Sequence, residues 1–258
     1  MLQFIKARWL RRKLARLSPC PLPTLLDLSA ARRVLVFAPH PDDESLGCGG
    51  TLSQLTALCP VKVVLITDGS GAGGLPPGSA ALRQAEMAAA LAVLGVPEME
   101  CLDQPDGFFS DSAGFGHRVR EILEQFQPDW VFLPSPLDYH RDHARIAASL
   151  VPLCQRVHSV RQLLFYEIWA PVPATHVVDI TGQAAIAKQA ALSCHATAMR
   201  CGDYQRAMDG LNRYRGLYLG KDRLAEAFWV EPVPGLPLFA KVQSLALHLL
   251  ARLDSKDS

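Results

Sequence analysis

Arg33-Val-Leu-Val-Phe-Ala-Pro-His-Pro-Asp-Asp-Glu44 sets an apolar, β-branched run directly against three consecutive acids. Arg33 to Ala38 fits a short strand buried on both faces. Pro39 and Pro41 stiffen the turn after this strand and bias their neighbours toward extended conformations. Glu44 to Leu58 then reads as a helix. Further along, Val61-Lys-Val-Val-Leu-Ile66 predicts a second buried strand. Gly69 to Gly78, with five glycines and two prolines, predicts a loop. Ser79 to Leu94 is Ala-rich and helical, stopped by Gly95 and Pro97. Further strands are expected near Met99 to Leu102, Asp129 to Leu133, Gln162 to Ile168 and His176 to Ile180. Helices are expected at His117 to Phe126, Arg145 to Val157, Gly182 to Met199 and Tyr204 to Leu219, with a last amphipathic one at Leu236 to Leu253. This alternation predicts an α/β chain: a Rossmann-like three-layer fold with a mostly parallel central sheet and C-terminal additions. One domain is expected over 31–258, preceded by a basic amphipathic segment over 1–30.

The bulk composition narrows the function classes. The chain has 258 residues, 49% hydrophobic and 20% charged, with a formal net charge of +1. That balance supplies no global attraction to nucleic acid, and none is expected as a partner. No apolar run approaches the ~18 residues that a membrane span requires. The seven cysteines form no C-x-x-C pair and mostly sit in apolar stretches, which fits a reduced, cytoplasmic protein. The first 18 residues carry Lys6, Arg8, Arg11, Arg12, Lys13 and Arg16 between Leu, Ile, Phe and Trp, with no acid. They lack the uninterrupted apolar stretch of a secretory signal. The segment fits either a helix lying peripherally on the inner face of an anionic membrane or a terminal helix packed on the domain. The packed helix is preferred.

The acids of the opening stretch begin where the first strand ends. Open α/β sheets bind ligands beyond the carboxyl ends of their strands, at the point where strand order reverses. Pro134-Ser-Pro-Leu-Asp-Tyr-His-Arg-Asp-His143 comes after the Asp129 to Leu133 strand in the same way. If the strands are ordered 3-2-1-4-5, the first and fourth are neighbours, and His40, Asp42, Asp43 and Glu44 meet His140, Asp142 and His143 in one crevice. Two histidines and one aspartate with an open position suit a catalytic zinc. A free carboxylate beside it suits a general base. Taken singly, either cluster would fit a solvated turn or an acidic helix start equally well. Their coincidence after two inner strands favours a metal site.

The chain resembles the PIG-L/LmbE-like family of zinc-dependent N-acetylglucosaminyl deacetylases. The resemblance rests on Pro39-His-Pro-Asp-Asp-Glu44 with Leu46-Gly-Cys-Gly-Gly-Thr-Leu52, Thr67-Asp-Gly69, Arg83 with Glu86, Pro105-Asp-Gly107, His140-Arg-Asp-His143, Val178-Asp-Ile-Thr181 and Ala225-Glu-Ala-Phe228. It implies His40, Asp43 and His143 as ligands of one Zn²⁺, with other divalent metals able to substitute. It implies Asp42 as general base, His140 as the histidine that stabilises the oxyanion or donates a proton, and Asp142 as the group orienting His140. Arg83, Glu44 and Asp106 are implied as substrate-binding residues. The implied reaction is hydrolysis of the acetamide of an N-acetylated sugar, on a lipid- or nucleotide-linked glycan. Tyr139 does not match the family's assisting tyrosine securely and also fits an exposed loop aromatic.

Other features read blandly. Leu46-Gly-Cys-Gly-Gly50 lacks a Walker lysine and fits close packing of a helix start on the sheet. Cys48 fits a buried small residue, and His195 a packing or capping histidine. The Arg- and Tyr-rich stretch from Tyr204 to Tyr218 fits a solvated helix face better than an anion-binding one. Two other functions remain open: a noncatalytic binding module on the same fold, and a metal-dependent esterase or phosphoesterase.

Overall fold

The computed structural model describes residues 22–71, 75 and 78–234. At its centre, Val34–Ala38 (β2) is fully buried along its whole length. Val34, Val36 and Ala38 face one apolar layer, while Leu35 and Phe37 face the other. A strand covered on both sides has no polar face to alternate with, hence its unbroken apolar run. Each such side chain contributes about 1.5–3 kcal/mol on burial.

The remaining strands are Thr24–Leu25 (β1), Val61–Thr67 (β3), Glu98–Gln104 (β4), Trp130–Pro134 (β5), Gln162–Tyr166 (β6), His176–Asp179 (β7) and Ala225–Pro232 (β8). They form one eight-stranded sheet in the order β1-β7-β8-β6-β5-β2-β3-β4. The stretch β4-β3-β2-β5-β6 is entirely parallel and realises the 3-2-1-4-5 order expected from the sequence. β2 and β5 are neighbours, so the order reverses between them. β8 alone runs antiparallel, wedged between β6 and β7.

The helices are Asp43–Leu55 (α1), Ser79–Val93 (α2), Ala113–Phe126 (α3), Arg141–Cys154 (α4), Gln183–Cys194 (α5), Ala196–Cys201 (α6) and Tyr204–Gly216 (α7). Cys48, Leu52, Met87 and Leu91 from α1 and α2 cover one face of the sheet, with Ala191 from α5. Phe115, Ile122, Ile146 and Leu150 from α3 and α4 cover the other. This is the expected three-layer arrangement.

Several boundaries differ from expectation. The predicted helix over 182–199 breaks at His195, whose backbone (φ −78°, ψ 54°) is not helical, and continues as α6. α4 begins at Arg141, directly at the second motif, rather than at Arg145. α3 begins at Ala113, where the Ser112 hydroxyl accepts the Phe115 N–H at 3.1 Å. The expected helices over 1–18 and 236–253 lie outside the described residues. Among the described residues, no helix is long and apolar enough to cross a membrane.

The glycines of α1 are explained by packing. A Cβ on Gly47 would strike the Tyr166 ring, and one on Gly50 would sit 2.8 Å from Ile180. The helix start therefore lies against the sheet, as the sequence suggested. Midway, α1 is kinked at Cys48 (φ −146°, ψ 18°), and the Glu226 carboxylate on β8 accepts the Gly50 and Thr51 N–H groups at 2.9 and 2.7 Å. Buried Lys188 bridges this carboxylate and the Leu46 carbonyl at 2.6 and 2.7 Å.

Candidate metal and catalytic site

The turn from β2 into α1 carries His40, Asp42 and Asp43, and the turn from β5 into α4 carries Asp138, His140, Asp142 and His143. Because β2 and β5 are adjacent, the two turns meet. His40 Nδ1 and His143 Nε2 lie 3.1 Å apart. Asp43 Oδ2 lies 3.3 Å from the first and 3.1 Å from the second. Tetrahedral zinc holds nitrogen and oxygen donors at about 2.0–2.2 Å, which places neighbouring donors about 3.3 Å apart. The three atoms thus already form one triangular face of such a site. His140 extends the cluster, one ring nitrogen from each of the three histidines falling within 4.8 Å of the others. His40, Asp106 and Asp142 form a second group of the same tightness. The residues present can hold a metal ion.

The electrostatics of the site point the same way. Burial would raise Asp43, yet His143 and His40 hold it well below the ordinary carboxylate range. Burial would lower His143, but the Asp43 charge and the contacts with Asp138 and Asp43 lift it to about 9. His40 is likewise raised by Asp106, Asp142 and Asp43 against its burial. The histidines hold protons where a cation would substitute.

Asp42 stands apart from the triangle. Burial, reinforced by the Asp43 charge and opposed by Arg83, lifts its pKa to about 7. Its backbone has φ 133°, a conformation that costs a non-glycine residue about 1–3 kcal/mol and that collects at functional sites. Arg83 comes from α2, lies 3.5 Å from Asp42 Oδ2, and donates to the Gly69 and Pro41 carbonyls at 2.7 and 3.1 Å. It lines the pocket as part of its frame.

Two expected site residues make contacts that the sequence did not indicate, and a third makes an additional one. Asp142 does not orient His140. Its carboxylate accepts the Gly107 N–H at 2.8 Å and lies 3.6 Å from His40 Nε2, so it backs His40 instead. Among the described residues His140 Nδ1 has no hydrogen-bond partner. Glu44, expected as a substrate contact, is fully buried and absent from the pocket wall. Its carboxylate accepts from Ser45 Oγ at 2.6 Å and lies 3.1 Å from His195 Nε2. Asp106 does line the pocket, but its Oδ1 is 3.1 Å from His40 Nε2, a second brace on that ring.

Asp138 was missed in the sequence. Its Oδ2 lies 3.2 Å from His143 Nδ1 and its Oδ1 accepts the His140 N–H at 2.8 Å. It therefore backs one histidine and fixes the other's backbone. Its only signal was its place inside the quoted Pro134–His143 run. Cys48 is buried, with Sγ against the Glu44 carbonyl, and Tyr139 is an exposed loop residue. The pocket, about 360 Å³ in volume, opens onto His40, Asp42, Asp43, Arg83 and His140.

Residues 35–153 match the family model described as PIG-L: GlcNAc-PI de-N-acetylase. That stretch is similar to the PIG-L family. Both turns of the site fall inside the matched PIG-L segment. Over 101 residues the chain is 39% identical to the 1D-myo-inositol 2-acetamido-2-deoxy-alpha-D-glucopyranoside deacetylase of Kineococcus radiotolerans, covering 35% of this chain and 28% of that protein. Over 120 residues it is 33% identical to the diacetylchitobiose deacetylase of Thermococcus kodakarensis, covering 43% and 45%. The chain thus spans less than half the length of either curated relative. A solved structure of a conserved protein from Thermus thermophilus superposes with a TM-score of 0.68 at 28% identity, over 80% of this chain and 98% of that one.

Proposed function

We propose that this protein is a PIG-L-type enzyme that hydrolyses the acetamide of an N-acetylated, GlcNAc-type sugar, releasing acetate and a free amino sugar, with zinc as its metal. The observation that carries this reading is the triangle of His40 Nδ1, His143 Nε2 and Asp43 Oδ2 beside a carboxylate that is not part of it. The relatives' names supply the substrate class.

Zinc held by His40, Asp43 and His143 would polarise the acetamide carbonyl and acidify a water beside it. Asp42, buried next to the triangle, is placed to take the proton that water gives up. A group that titrates near neutrality can accept that proton and release it again to the departing amine. His140 lines the pocket beside the triangle, where its ring can donate to the developing oxyanion or the leaving amine. Asp138, Asp142 and Asp106 keep the two ligand rings oriented from behind. One metal at that triangle suffices for acyl transfer, whereas phosphoryl transfer commonly uses two.

The test is zinc-dependent acetate release from N-acetylglucosamine glycosides. Asp42→Ala should lower kcat by about 10²–10⁴-fold with zinc still bound. His143→Ala should lose both zinc and turnover. Undiminished activity in both variants would remove the proposal.

A further inference from the structure

The pocket is lined by two unlike sets of residues. One is the polar group around His40 and Asp42. The other comes from the segment after β6 and from α6 and α7: Ile168, Trp169, Cys201, Tyr204, Ala207 and Met208. No member of this second set carries a charge. Leu75 also lines the pocket. A substrate whose acetamide reaches Asp42 must lay the rest of itself against this apolar side.

Trp169 lies on that side, 49% exposed. A large aromatic left half-open at the rim of a reactive pocket offers a surface for a ligand to cover. It is also held in place. Its backbone N–H donates to Asp138 Oδ2 at 3.3 Å, the same oxygen that faces His143. Tyr204 braces its ring edge-on (5.6 Å, 86°), and the ring lies near-parallel to His140 (25°, 6.5 Å between centroids). The aromatic surface is therefore set in register with the catalytic histidine.

The cations of α7 do not line this pocket. The Arg206 side chain is 86% exposed, Arg213 pairs with Asp209 at 2.8 Å on the outer face, and Arg215 is buried on Glu167. Arg83 is committed to two backbone carbonyls. An anionic or polyhydroxylated group would find few partners here.

We propose that this apolar side is an aglycone subsite, and that the substrate carries an apolar aglycone, aryl or alkyl, on its N-acetylated amino sugar. Trp169 and Tyr204 set that preference. The sugar half of the statement rests on the deacetylase reading; the apolar subsite does not.

Calorimetric titration of the zinc-loaded protein with the methyl, phenyl and hexyl glycosides of N-acetylglucosamine, and with diacetylchitobiose, tests it, with acetate release followed in parallel. The phenyl and hexyl glycosides should bind at least tenfold more tightly than the methyl glycoside and diacetylchitobiose. Trp169→Ala should bring that ratio to within threefold of unity. Ala207→Asp, at an exposed position that a charge can occupy without unfolding the chain, should lower it at least threefold. Tyr214→Ala, an exposed aromatic away from the pocket, should leave it unchanged. A ratio near one, a preference for diacetylchitobiose, or a preference that survives both pocket variants overturns the proposal. Apolar preference without acetate release supports the subsite and removes the deacetylase reading. Acetate release without the preference does the reverse.

Discussion

His195 shows how a residue can matter to the site without entering it. It sits at the break between α5 and α6, buried, with Nε2 3.1 Å from Glu44 Oε1 and 3.2 Å from Ser45 Oγ. Burial would lower its pKa, but the Glu44 charge and hydrogen bond outweigh that and raise it above the usual 6.5. A histidine raised on folding contributes stability that is fully present below its unfolded pKa and is lost as pH rises through the folded one. His195→Gln should therefore cost about 1.5–3 kcal/mol at pH 6, the worth of a charge-assisted hydrogen bond, and less at pH 9. Urea unfolding of both proteins at the two pH values measures this; a gap that is constant or widens with pH contradicts it. Residue types and spacing made the two acid/His clusters legible, because each came after an inner strand; the choice of His40, Asp43 and His143 among them came from the family resemblance. The supporting contacts were not legible. Nothing in Asp138-Tyr-His-Arg-Asp-His143 says that Asp138 would face His143 while Asp142 crossed to His40. That is decided by the side-chain directions of the turn into α4.

Among the elements, β8 was one that the sequence concealed. Ala225-Glu-Ala-Phe-Trp-Val-Glu-Pro232 puts a charge at its second position, which argues against a strand buried in mid-sheet. The structure resolves the conflict: Glu226 is buried, but it accepts two backbone N–H groups at the α1 kink and the Lys188 ammonium. It serves as a helix cap supplied by a distant strand. Glu226→Ala would leave Lys188 and both N–H groups without this acceptor, so it should lower unfolding free energy by about 3–5 kcal/mol. A double variant with Lys188→Met should lose less than the sum of the two single losses. Denaturant midpoints decide the matter, and additive losses would show that the pair is not coupled. The parallel strands were easier to read, since burial on both faces leaves an uninterrupted apolar run. The α5–α6 break was not, because the Ala-rich sequence on either side of His195 favours continuing the helix.

For the whole molecule, what counts is that two turns some hundred residues apart are brought together because β2 and β5 are neighbours at the reversal of strand order. That adjacency was predictable from the alternation of elements, and the site depends on it. The decisive test is anomalous diffraction at the zinc edge from crystals of the zinc-loaded protein. One peak should appear per chain, about 2.0–2.2 Å from His40 Nδ1, His143 Nε2 and an Asp43 oxygen, with the Asp42 carboxylate outside the coordination sphere. A peak elsewhere, a sulfur ligand, or His40 and His143 too far apart to share an ion would contradict the account.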